Sequence, residues 1–170
     1  MPAYPIWANI AIYQGIWFIG VLGKERFAAV LLVLLVLHFW WVKDRLTESL
    51  IVVSCTLIGV CVDSVLTLTG WFVFTPEASV LPIPLWLVGI WIGFAATFRH
   101  ALAYFFARPV WAIALAAVGA PLTYLAAARL GAVALPYGPV WTALVLLVVW
   151  TALMGMFVWI TQTIVKFRHA

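Results

Sequence analysis

The stretch VWTALVLLVVWTALMGMFVWITQTIV, Val140 to Val165, contains no charged residue. A helix needs about 20 apolar residues to cross the hydrocarbon core of a bilayer, and several more runs of this kind precede it. Hydrophobic residues make up 68% of the chain and charged residues 8%. A soluble domain carries about 25% charged residues, so this chain has too little polar surface to face water on all sides. The apolar runs are continuous and do not alternate with period two, which argues against a closed membrane barrel. Helices remain, because they satisfy every backbone group inside the segment. The chain reads as all-α: a polytopic transmembrane helical bundle, one integral membrane domain over residues 1–170.

Charge and proline divide it into six expected spans, at about 6–23, 27–42, 49–74, 85–106, 110–133 and 140–165. The punctuation is KER (Lys24 to Arg26), KDRLTE, TPEASVLPIP with Pro76, Pro82 and Pro84, the pair Arg108–Pro109, the turn LPYGP, and the tail KFRHA. The second span is short, which suits an upright helix. No Lys or Arg precedes the first apolar run, so that run is expected to stay in the mature protein.

Orientation follows from basic residues in the flanks. With the N-terminus inside, Lys43, Arg45, Arg99, Arg108, Lys166 and Arg168 are cytoplasmic, against Lys24, Arg26 and Arg129 outside. Both termini are therefore expected in the cytoplasm. The net charge of +4 is spent on these flanks, and no dense basic patch points to nucleic acid. Trp17, Trp40, Trp41, Trp71, Trp86, Trp111, Trp141 and Trp159 fall toward segment ends, where indole rings prefer the headgroup region. Trp91 and Trp150 sit deeper, as packed or cavity-lining rings. Cys55 and Cys61 are about 9 Å apart along one helix, too far for a mutual disulfide.

The acid that most needs an explanation is Asp63, in GVCVDSVLTLTG. An ionisable group in a membrane segment is expensive and turns toward other helices. Gly59, Asp63 and Thr67 share one helical face, with Cys55 and Thr56 nearby. In the fourth segment, GIWIGFAATFRHALAY aligns Gly89, Gly93, Ala96, Thr97, His100 and Tyr104 along one side, and Gly89 with Gly93 permits close approach of another helix. The two stripes are expected to face each other and to draw Asp63 and His100 to one core, with heights differing by about 10 Å. Asp63 is read either as helix glue or as a binding or proton-handling group. Gln14, with Gly15, is read mainly as glue, and His38 as an interfacial residue. Asn9 carries little signal. The fifth segment is rich in small residues, and Pro121 frees a backbone carbonyl near Thr123 and Tyr124. Arg99 is expected to snorkel inward to the cytoplasmic interface and Arg129 outward, or Arg129 to meet an anionic headgroup.

Walker, G-x-S-x-G, H-E-x-x-H and C-x-x-C motifs are absent, and no lysine lies inside a segment to form a Schiff base. No cofactor and no metal motif is expected, although three segments bring His38, His100 and Asp63 within conceivable reach. The sequence does not decide whether the protein is an enzyme.

Four stretches in order, YQGIWFIGVLG, GVCVDSVLTLTG, PLWLVGIWIGFAATFRHALAYF and GAPLTYLAAARLGAV, resemble a bacterial inner-membrane family catalogued as domain of unknown function 2878. The resemblance covers nearly the whole chain. Its motif positions fall on Gln14, Trp17, Gly20, Asp63, Ser64, Trp86, His100, Pro121, Tyr124 and Arg129. Similar proteins carry Asn where Arg99 stands, so Arg99 takes no family role. The resemblance implies a multi-pass bacterial inner-membrane protein and, through genes that accompany the family, an association with fatty-acid modification.

The functional expectation is a protein that binds or transports a small apolar, amphipathic or lipid-like molecule. Its site would contain Asp63, His100, Gln14, Tyr124, Trp91 and Arg129, and its partners would be membrane lipids and another membrane protein. The alternatives are a membrane-embedded lipid-modifying enzyme and a structural subunit of a larger complex. A binder calls for an enclosed cavity reaching Asp63 and His100, an enzyme for one open sideways to lipid, and a scaffold for solid packing.

Overall fold

A computed structural model describes residues 4–75 and 81–169. Pro76, with 77–80, lies outside the described residues. Helix α1 (Ile6–Gly23) ends where Lys24 turns to a φ of 54° and donates its N–H to the Gly20 carbonyl. A 3₁₀ turn (Lys24–Phe27) leads into α2 (Ala28–Trp41). Asp44 then caps α3 (Arg45–Leu68), its side chain accepting the Thr47 N–H at 3.3 Å. After a turn at Gly70 (φ 81°), strand β1 (Val73–Phe74) pairs antiparallel with β2 (Val133–Ala134). Helix α4 (Leu85–Ala95) is followed by a non-helical turn over 96–102 and one short helix, α5 (Ala103–Phe106). Helices α6 (Pro109–Arg129) and α7 (Pro139–His169) complete the chain.

The segments run up and down, and contacts at their ends fix which loops share an end. At one end, Glu25 accepts the backbone N–H groups of Leu85 (2.8 Å) and Trp86 (3.4 Å), capping α4 from the α1–α2 turn. Lys24 Nζ donates to the Gly131 carbonyl beyond α6 (3.0 Å), and β1 meets β2 there. At the other end, Arg99 reaches Asp44 before α3, and Gln162 of α7 donates to the Phe106 carbonyl at 3.0 Å. Helix α4 sits centrally, packed on α1, α2 and α3, while α7 packs on α3 and α6.

The described residues are thus overwhelmingly helical. Three helices, Arg45–Leu68, Pro109–Arg129 and Pro139–Arg168, are long and apolar enough to cross a membrane. Many of their large apolar side chains point outward, including Leu57, Val65, Val118, Leu122 and Val148. Such outward apolar faces are those of a membrane protein's helices, where lipid takes the place of water.

Some expectations need correction. The third segment is not helical to Phe74: α3 stops at Leu68, and Phe74 belongs to a strand. The fourth is not one helix over 85–106, because the chain breaks after Ala95 and the stripe from Gly89 to Tyr104 is not continuous. The glycines of that stripe do not face α3. A Cβ on Gly93 would meet Ile16 of α1 at 2.9 Å, and one on Gly89 would meet Leu31 of α2 at 3.4 Å. Trp86 falls at a segment end, as the second residue of α4, and its ring is buried in the core. Pro121 leaves α6 a single helix.

Candidate functional site

The buried face of α3 carries Glu48, Val52, Cys55, Thr56, Gly59 and Asp63 at helical spacing. Its two acids are fifteen residues apart, about 22 Å along the axis. Each one anchors a separate polar node.

Asp63 is clamped by two donors. Trp91 Nε1 of α4 donates to Oδ2 at 2.7 Å, and the Tyr124 hydroxyl of α6 stands 2.8 Å from Oδ1 and 2.7 Å from Oδ2. Gly59, one turn before Asp63, makes room for this. A Cβ there would lie 2.3 Å from the Trp91 ring. Trp91 stacks on Trp150 (5.2 Å, 7°) and Tyr124 on Phe72 (4.9 Å, 5°), so both donors are held as rigid plates.

Beyond Trp91 and Tyr124 opens a cleft of about 350 Å³. One wall comes from α1 (Ile10, Tyr13, Gln14, Trp17) and the opposite wall from the small-residue face of α6 (Ala112, Ala116, Gly119, Ala120). Its surface is mostly apolar, with Gln14, Thr97 and Thr123 as polar points. Asp63 stands behind the cleft, and neither it nor His100 lines it, so this cleft is not the enclosed cavity reaching both residues that the binding expectation called for.

The second node forms at the break in α4. Asn9 of α1 stitches that break: its Nδ2 donates to the Ala96 carbonyl (3.1 Å) and its Oδ1 accepts the Ala101 N–H (3.1 Å). Two backbone groups freed by ending a helix are thereby satisfied. The turn carries Arg99 and His100 onto the first turn of α3. Glu48 is wholly buried there. Its Oε1 takes His38 Nε2 at 3.0 Å and lies 3.3 Å from His100 Nε2, and its Oε2 accepts Arg99 Nη1 at 3.3 Å. Arg99 also pairs with Asp44 at 3.3 Å. On the far side of the His38 ring, Nδ1 lies 3.0 Å from the Tyr4 hydroxyl. Burial, aided by the Glu48 charge and opposed by the Asn9 hydrogen bond, holds the Tyr4 phenol above its usual pKa. It is therefore a protonated hydroxyl at neutral pH.

Of the six residues singled out in the sequence, Asp63, Trp91 and Tyr124 come together in one node, and Gln14 faces the same cleft. His100 does not join them. The broken helix sends it to Glu48, at the other end of α3. Arg129 is exposed in the last turn of α6, away from the cleft. Sequence reasoning missed Glu48 and undervalued His38 and Asn9. The available signal was Asp44 as a helix cap, which places Glu48 one turn inside α3 rather than in a loop. Cys55 is buried and Cys61 exposed, both with free thiols.

These features define a helical bundle of membrane-protein character, with two buried polar nodes on one helix and an apolar cleft at its side. The chain belongs to the family described as Protein of unknown function (DUF2878), whose model matches residues 6–156. No curated protein and no solved structure matches it.

Proposed function

We propose that this chain is a six-span bacterial inner-membrane protein that binds a small amphipathic or lipid-like molecule in the cleft between α1, α4 and α6. The observation that carries the reading is the cleft itself. Its volume of about 350 Å³ lies within the range of small-molecule sites, about 300–1,000 Å³. Apolar walls with a few polar points suit an apolar body with a polar end. Trp91 and Trp150 serve as the flat wall, and Gln14, Thr97 and Thr123 as the polar contacts. Tyr124 belongs to wall and node alike. Asp63 acts from behind, as a positioning residue that fixes the Trp91 and Tyr124 rings. Both termini are cytoplasmic in this reading, supported by six basic residues against three in the flanks. One of the three outer cations, Lys24, is held by the Gly131 carbonyl instead of standing free.

The test is native mass spectrometry with lipid identification on purified full-length protein, comparing wild type with Gly119→Trp. Gly119 lines the cleft and a Cβ there meets nothing within 4 Å, so the substitution starts from open space on the α6 wall. A specific adduct on the wild type, lost in the variant at an unchanged melting temperature, is the expected result. Equal adducts on both proteins, or none on either, overturn the reading. A second reading, a membrane-embedded enzyme acting on lipid, draws on the His38–Glu48–His100 cluster, a set of residues able to move protons or hold a Lewis acid.

A further inference from the structure

We infer that His38, Glu48 and His100 form a binding site for one divalent transition-metal ion of the zinc class. The three side chains come from α2, α3 and the α4–α5 turn, and their ligating atoms all lie within 4.8 Å of one another. An ion about 2.0–2.1 Å from each ligand in tetrahedral geometry sets ligand–ligand spacings of about 3.3 Å. Glu48 Oε1 already stands 3.0 Å from His38 Nε2 and 3.3 Å from His100 Nε2. The two imidazole nitrogens fall within the same 4.8 Å cluster. His100 Nε2 supplies a second observation. It is buried, and no aligned hydrogen bond satisfies it among the described residues.

The surroundings fit a metal site. Metal-bound imidazoles usually donate their other N–H to a fixed acceptor. Here His38 Nδ1 faces the Tyr4 hydroxyl, itself held by Asn9 Nδ2 at 3.3 Å. Binding needs Nε2 unprotonated. The imidazole proton then sits on Nδ1 and is donated to Tyr4 Oη, a change of tautomer with no net proton release. Arg99 holds the outer oxygen, Oε2, and leaves Oε1 to the histidines. Charge also permits a cation: the buried Glu48 carboxylate brings one negative charge to the three ligands, and the imidazoles are neutral when they bind metal. Two nitrogen ligands favour zinc-class ions over Mg²⁺ or Ca²⁺, which take oxygen. Three protein ligands leave a fourth position for water. The inference does not depend on what occupies the cleft.

The experiment uses full-length protein in detergent, stripped with a chelator, reloaded with Zn²⁺ and desalted. Metal is counted by mass spectrometry, and Co²⁺ loading is read by visible absorption. One equivalent per chain is expected, with a tetrahedral cobalt spectrum. His100→Ala and His38→Ala should each weaken binding at least tenfold, while Arg129→Gln leaves it unchanged. His100 lies at the rim, with its side chain 17% exposed, so its truncation is the variant best placed to fold normally. Wild-type protein that retains no stoichiometric metal, or metal that survives both histidine substitutions, overturns the inference.

Discussion

Gly59→Ala adds one methyl group at the point where α3 touches Trp91, and its effect follows from distances. The new carbon would stand 2.3 Å from Cε3 of the indole and 2.5 Å from Cδ2 and Cζ3. Ordinary contact begins near 3.4 Å, so the ring must retreat by about 1 Å. Its Nε1 donates to Asp63 across only 2.7 Å, and a retreat of that size stretches the bond beyond about 3.5 Å, where it no longer counts as one. Overpacking costs about 1–3 kcal/mol. Losing a hydrogen bond to a buried carboxyl adds about 1–2 kcal/mol. Together these give about 2–5 kcal/mol of destabilisation. Gly119→Ala is the matched control, the same chemical change in a helix, at a position with nothing within 4 Å. Helix propensity alone favours alanine by up to about 1 kcal/mol there. The assay is unfolding in detergent micelles, followed by the summed fluorescence of the eleven tryptophans. If Gly59→Ala proves as stable as Gly119→Ala, the Trp91–Asp63 contact does not exist as described.

Three further outcomes test other joints. Tyr124→Phe keeps the ring stacked on Phe72 but removes the hydroxyl from both Asp63 oxygens, so micelle unfolding should show a loss of about 1–2 kcal/mol. Asn9→Ala leaves the Ala96 carbonyl and the Ala101 N–H unpaired, and should cost about 2–3 kcal/mol while raising amide hydrogen exchange across 96–102. Glu25→Ala strips the cap from α4 and should lower stability by about 1 kcal/mol, with faster exchange confined to Leu85 and Trp86.

Much of the bundle can be read from the sequence because lipid leaves a chain few options. Long uncharged runs have to be helices, and an acid such as Asp63 has to face its neighbours. The small residues beside Asp63 also point the right way, since Gly59 is what admits Trp91. Reading fails where a backbone decision is made by a distant side chain. Nothing in FAATFRHAL resembles a helix stop: it contains neither glycine nor proline. The stop is imposed by Asn9, almost ninety residues earlier, which takes up the two peptide groups that the break releases. With the segment assumed continuous, His100 falls on the face of Asp63 and its true partner Glu48 is overlooked. Glu48 is hidden for a different reason. It follows four charged or polar neighbours in KDRLTE, so it looks solvated, whereas only its first turn is polar and the acid itself points inward.

The two donors that hold Asp63 have a consequence for how the chain is made. Trp91 lies 28 residues after the acid and Tyr124 lies 61 residues after it. At synthesis rates of about 5–20 residues per second, the carboxyl waits about 3–12 s before its second partner emerges. In the six-span arrangement proposed above, helix α3 therefore enters the membrane with an unsatisfied acid, and is at ease in lipid only after α4 and α6 have arrived. Its insertion is a collective act, and a pause or truncation between residues 91 and 124 strands a half-paired acid in hydrocarbon.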